Sequence, residues 1–192
     1  MTKPPTTKRA AKLRSRPYQQ GDLDGLCGVY SAVNAVRVLC PEVDATTAEH
    51  LFDVLMQRLL RTVGNPSTAV TWGIGRLMLA GLIDEAIEYM LDDFDIRLKA
   101  RRLPKALRHS ANRDQLWQAL ETQISPSCVA IIGLAGKHSH WTVAAQVTPL
   151  RIRLFDSGKL QALPRARCTV GRTTKRHQIA PTHVLLVERL VG

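Results

Sequence analysis

Downstream of Cys27, the apolar residues Val29, Val33, Val36 and Cys40 recur at helical spacing, and Ala32, Ala35 and Leu39 fill the flank. Pro41 forbids continuation of that helix. A helix apolar nearly all round belongs in the interior, so this one is expected to be central and buried. A second helix is predicted from Thr46-Thr47-Ala48-Glu49, which has the spacing of a capping box, and Leu51, Leu55, Leu59 and Val63 form its stripe as far as Gly64. After the turn Asn65-Pro66-Ser67, a helical region is expected over residues 68–94 with a break near Gly81 and an inner face of Ile83, Ile87, Met90 and Leu91. A short strand over residues 96–100 and a helix over residues 112–124, carrying Leu116, Trp117 and Leu120, complete this half.

The period then changes. Residues 128–134 form a short apolar run, residues 140–146 another, residues 150–156 alternate Arg with Ile or Leu, and residues 181–188 close the series with Val184, Leu185, Leu186 and Val187. Helices lead and strands follow. That segregation predicts an α+β fold, a helical N-terminal half packed on a C-terminal antiparallel sheet, and not a βαβ repeat.

Within this frame one thiol, one imidazole and one carboxylate stand out. Cys27 opens the buried helix, where the helix dipole and a neighbouring cation favour thiolate, the nucleophilic form of a thiol. A hairpin turning about Val147-Thr148-Pro149 would set His140 directly opposite Asp156, Thr142 opposite Leu154 and Ala144 opposite Ile152. Directly opposed residues share a face with Cβ atoms about 5 Å apart, which suits a carboxylate accepting from a ring N–H. The expected roles are attack by Cys27, proton transfer by His140, and orientation of the imidazole by Asp156. Backbone N–H groups at the start of the helix would hold an oxyanion, with Gln20 as the upstream second donor and Gln19 or Asp24 as its rivals.

Charge adds a second feature. The net charge of +11 gathers in two places: Lys3, Lys8, Arg9, Lys12, Arg14 and Arg16 precede the first acid, Asp22, and residues 151–176 are basic with Asp156 as the only interruption. Such surfaces favour an acidic partner or nucleic acid, although the arm offers no aromatic platform for bases beyond Tyr18. Residues 1–16 lack hydrophobic periodicity and are expected to form a disordered basic arm, leaving residues 17–192 as one domain. Four scattered cysteines show neither Cys-x-x-Cys pairs nor zinc spacing, so reduced thiols, a cytoplasmic setting and no metal or organic cofactor are expected. No apolar run reaches the length of a transmembrane span, and the basic N-terminus has no secretory apolar core.

Residues 20–34, with Asp24-Gly25-Leu26-Cys27-Gly28 at their heart, together with His140-Trp141-Thr142-Val143 and Leu154-Phe155-Asp156, resemble the papain-like cysteine peptidase superfamily. Within it, they are most similar to the bacterial bacteriocin-leader (double-glycine) processing peptidases. The resemblance covers roughly residues 19–39 and 134–158 and implies a papain-like fold, with a cysteine-bearing helix against an antiparallel sheet. It also implies a cysteine peptidase that cleaves a peptide or isopeptide amide in a peptide or protein substrate. The family's oxyanion glutamine falls six residues before the cysteine, where this chain has Gly21, and Asp24 resembles instead the aspartate of ovarian-tumour-type deubiquitinases.

Other readings of the same residues stand beside this one. The triad also serves acyltransferases and transglutaminase-like enzymes, and a non-catalytic basic module binding nucleic acid or an acidic partner would need no triad at all. His138 rivals His140 as the base but lacks the following aromatic residue and the opposed carboxylate. His50, His109, His177 and His183 are expected to be surface or structural, and Trp72 and Trp117 to pack.

Overall fold

A computed structural model describes residues 16–21, 24–110, 112–136, 139–170 and 177–190. The expected basic arm, Arg16 apart, and His138 lie outside the described residues. Helices α1 (Cys27–Leu39), α2 (Ala45–Thr62), α3 (Pro66–Trp72) and α4 (Arg76–Phe94) lead the chain. Strand β1 (Leu98–Arg102) and helices α5 (Lys105–Ser110) and α6 (Arg113–Gln123) follow. Strands β2 (Cys128–Ala135), β3 (His140–Val147), β4 (Arg151–Phe155), β5 (Ala162–Pro164), β6 (Cys168–Thr169) and β7 (His177–Arg189) then build the sheet. Its order is β1-β7-β2-β3-β4-β5, antiparallel throughout, with the short β6 pairing parallel to β7 off that path. The α+β class expected from the pattern is the observed one.

The sheet is covered on both faces. Residues of α1, α2 and α4 share one core with Val129, Ile131, Val143 and Phe155, while Leu116, Trp117 and Leu120 of α6 share another with Ala130, Ile132, Ala144 and Leu154. Alternate residues of β2 therefore enter different cores, which is why its sequence is a continuous apolar run and not an alternating one. Trp117 enters the second core through its ring and satisfies its one donor, Nε1–H, on the Thr148 carbonyl at 2.8 Å.

Helix α1 is central. Ten of its thirteen residues are buried, among them the polar Asn34, whose Oδ1 accepts from the Tyr18 N–H at 2.9 Å and whose Nδ2 donates to the Tyr18 carbonyl at 3.2 Å. One buried amide thus pins the segment leading to Cys27 against the helix that Cys27 starts.

Several local expectations are corrected. The cap of α2 is Asp44, whose carboxylate accepts from the Thr47 N–H at 2.8 Å, so the helix starts ahead of the Thr46 box. The long helical region breaks at residues 73–75, not at Gly81: Gly73 takes φ +79°, the conformation a helix cannot propagate, whereas Gly81 sits in α4 with open space beside it and costs only propensity, about 1 kcal/mol. The first strand is shifted to Leu98–Arg102. The last begins at His177 and passes Pro181 at a register shift, where the missing N–H breaks no continuous ladder. Trp72, expected to pack, is 83% exposed.

Candidate active site

Cys27 is the first residue of α1 and only 5% exposed. The local chain makes that placement. Asp24 accepts from the N–H groups of Gly21 (2.9 Å) and Leu26 (3.0 Å), so one carboxylate fixes the backbone just ahead of the helix. Gly25 donates its N–H to the Val70 carbonyl, and a Cβ on Gly25 would stand 2.6 Å from the Gly73 nitrogen, so two backbones meet side by side there. The N-cap, Leu26, brings no capping side chain to the first N–H groups of α1.

His140 and Asp156 are brought together, though not as the expected hairpin would do it. The turn is Thr148 to Arg151, closed by Thr148 N–H to the Arg151 carbonyl at 2.9 Å, and an irregularity at Ala145 shifts the pairing. The register pairs Val143 with Phe155 and Ala144 with Leu154, in place of Thr142 with Leu154 and Ala144 with Ile152. Carried one step further, it sets Thr142 opposite Asp156 and makes His140 the diagonal neighbour. A diagonal pair on one face is still within reach of a long side chain. His140 Nε2 and Asp156 Oδ1 stand 2.7 Å apart, with the His140 side chain 16% and the Asp156 side chain 1% exposed.

Asp156 is held on every side. Its Oδ2 accepts from the N–H groups of Gly158 and Leu160, each at 2.8 Å, and its backbone carbonyl accepts from Gln19 Nε2 at 3.1 Å. Burial pushes its carboxyl up, but the His140 hydrogen bond, the nearby Thr142 hydroxyl, the imidazolium charge and the Leu160 N–H outweigh it and hold the group below the ordinary carboxylate value. The Thr142 hydroxyl is buried and acts on the carboxylate without the geometry of a full hydrogen bond.

The Cys27 thiol donates to the Gly25 carbonyl at 3.8 Å and shares a cleft with the same imidazole. Burial lowers the His140 pKa, yet the hydrogen bond to Asp156 and the interaction with Cys27 raise it to about 9 overall. The sulfur also accepts from the Trp141 backbone N–H at 3.5 Å. With Nε2 taken by Asp156, Nδ1 is the ring nitrogen left for the sulfur. Cys27, His140 and Trp141 line one cleft of about 200 Å³, whose rim includes Trp72, Gly73, Ile74 and Gly75. Trp141 Nε1 donates to the Ile74 carbonyl at 2.9 Å, tying the rim to the strand that carries His140.

Gln20 is not among the residues lining this cleft; its Nε2 donates to the Asp24 carbonyl and its backbone N–H to the Ser157 carbonyl at 3.0 Å. The amide is engaged in holding the turn before Cys27, and Gln19 in holding Asp156. Conversely, His183, expected to be surface or structural, lines the cleft. No sequence signal singled it out, because it enters from a strand 43 residues beyond His140 with no recognisable neighbour. Among the described residues no group of three or more His, Cys, Asp or Glu side chains is arranged to hold a metal ion, and no helix is long and apolar enough to cross a membrane. The chain matches no protein-family model and no curated protein.

Proposed function

We propose that this protein is a thiol-dependent hydrolase of the papain-like kind, a cysteine peptidase that cleaves an amide through an acyl-enzyme on Cys27. One observation carries the reading: a nearly buried sulfur at the start of a helix shares a cleft with an imidazole whose far nitrogen is 2.7 Å from a buried carboxylate.

The chemistry runs in two halves. The Cys27 sulfur, its proton held by His140, adds to the carbonyl carbon. The carbon–nitrogen bond then breaks as His140 gives its proton to the leaving amine, and a thioester remains. In the second half His140, now neutral, takes a proton from water; the hydroxide displaces sulfur, and the acid is released. Asp156 holds the ring through Nε2, which leaves Nδ1 for the sulfur, and offsets the imidazolium charge. The N–H groups at the start of α1, which no side chain caps, would hold the carbonyl oxygen as it becomes an oxyanion. A pKa of about 9 keeps His140 protonated near neutrality, ready to serve as the acid for the amine.

Incubating the full chain and its Cys27→Ala variant with a mixed peptide library, and reading new termini by mass spectrometry, tests this. Cleavage by the parent and none by the variant is expected, together with a trapped acyl adduct on Cys27. Equal cleavage by both, or products in which an added amine always replaces water, would overturn the assignment as a hydrolase.

A further inference from the structure

The cleft beside Cys27 has a neighbouring depression. Trp141 and His183 line both, and the walls of the smaller depression also include Arg76, Arg102 and Thr182. No Asp or Glu lines either one. Three groups capable of holding an anion therefore line one depression that shares two of its walls with the thiol's cleft, with no counter-charge lining either.

None of the three is needed there by the fold. Arg76 is the first residue of α4, where a cation meets the positive end of the helix dipole and is locally unfavourable. It is exposed and, among the described residues, makes no ion pair, unlike Arg58 and Arg61, which meet Glu85. Arg102 is likewise exposed and unpaired, while its neighbour Arg101 meets Glu188. The His183 ring lies against Trp141 with centroids 5.4 Å apart, and Thr182 Oγ1 is 3.0 Å from its Nδ1. With Thr182 at Nδ1, Nε2 is the ring nitrogen left for a ligand. Burial and the Arg76 charge lower the His183 pKa, so the ring resists protonation beside Arg76.

We infer that Arg76, Arg102 and His183 form a carboxylate subsite continuous with the Cys27 cleft, and that the preferred peptide carries an acidic side chain within a few residues of the scissile bond. The inference rests on the thiol-peptidase reading and names its substrate class. Guanidinium groups suit this ligand because their N–H forks match a carboxylate. The walls shared through Trp141 and His183 let one extended peptide occupy both places at once.

Matched pairs of haloacetyl peptides, one bearing Glu and its twin Gln at successive positions, would be reacted with the full chain. The rate of Cys27 adduct formation would be read by intact mass. At one position or more, the Glu peptide is expected to react about tenfold faster than its twin at low salt, a ratio that falls as salt rises. Arg76→Gln with Arg102→Gln should bring the ratio towards one, and Arg76→Lys with Arg102→Lys should keep most of it; circular dichroism checks that both fold. A ratio near one at every position, or one indifferent to the double Gln variant, overturns the subsite while the labelled thiol leaves the hydrolase reading standing. Failure of every peptide, and of iodoacetamide, to label Cys27 overturns the hydrolase reading and the subsite with it.

Discussion

The Trp141 backbone N–H donates to the Cys27 sulfur at 3.5 Å, a contact joining residues 114 apart in sequence, and the residue before Trp141 is His140. Strand β3 thus offers two successive residues to the thiol, one through its main chain and one through its ring. The donor at Trp141 survives any change to the imidazole, so position and reactivity of the sulfur are separable.

Replacing Cys27 with Ala should abolish peptide cleavage, by at least about 10³-fold, as loss of a nucleophile does. It should cost only about 1 kcal/mol of stability, since one weak acceptor and a small side chain are lost. Kinetics on a fluorogenic peptide, paired with a thermal melt, read both quantities. A variant that fails to fold would show the thiol to be a core residue first.

Asp156→Asn keeps one oxygen for the Gly158 and Leu160 N–H groups but no longer pairs a charge with the ring. Turnover should fall by about 10²-fold without vanishing, a smaller loss than at Cys27, because a misoriented base is less damaging than a missing nucleophile. The same variant should lower the His140 pKa, which NMR titration of the ring would record. A pKa unmoved from about 9 would dissociate the carboxylate from the imidazole.

Stability should fall at both ends of the pH range. His140 has its folded pKa raised from about 6.5 to about 9, so the stability it contributes is complete below 6.5 and lost as pH rises through 9. Asp156 is shifted down, so its contribution is present above the ordinary carboxylate pKa of about 4 and lost as pH falls below it. Urea denaturation measured across pH should give a plateau in the mildly acidic range, and the alkaline decline should shrink in Asp156→Asn. Cleavage should also fall above pH 9, where the leaving amine loses its acid.

Gly158 and Gly25 should respond differently to Ala. A Cβ on Gly158 would stand 3.2 Å from Asp156 Oδ2 and 3.4 Å from His140 Nε2, tight contacts with side chains that can give a little. Gly158→Ala should therefore lower kcat several-fold with little change in melting temperature. A Cβ on Gly25 would stand 2.6 Å from the Gly73 nitrogen and 3.0 Å from the Val70 carbonyl, both main chain. Gly25→Ala should destabilise by about 1–3 kcal/mol, visible in a thermal melt. Equal melts for the two variants would contradict this division.

The repeating apolar positions of residues 27–40 and the runs at 128–134 and 140–146 were sufficient for the sequence alone to determine a buried cysteine-bearing helix and a following antiparallel sheet, because burial imposes the periods of 3.6 and 2 directly on the residues. Cys27, His140 and Asp156 could be nominated from the same patterns. Their mutual geometry belonged to the tertiary structure: the irregularity at Ala145 moved Asp156 opposite Thr142 and made its contact with His140 diagonal, and a bulge leaves too faint a trace in composition to be read. Likewise the break at Gly73 in place of Gly81, the engagement of Gln20 with the Asp24 carbonyl, and the entry of His183 into the cleft were decided by which main chains and side chains meet across distant segments. Periodicity records which face of an element is buried; it carries no record of what that face is buried against.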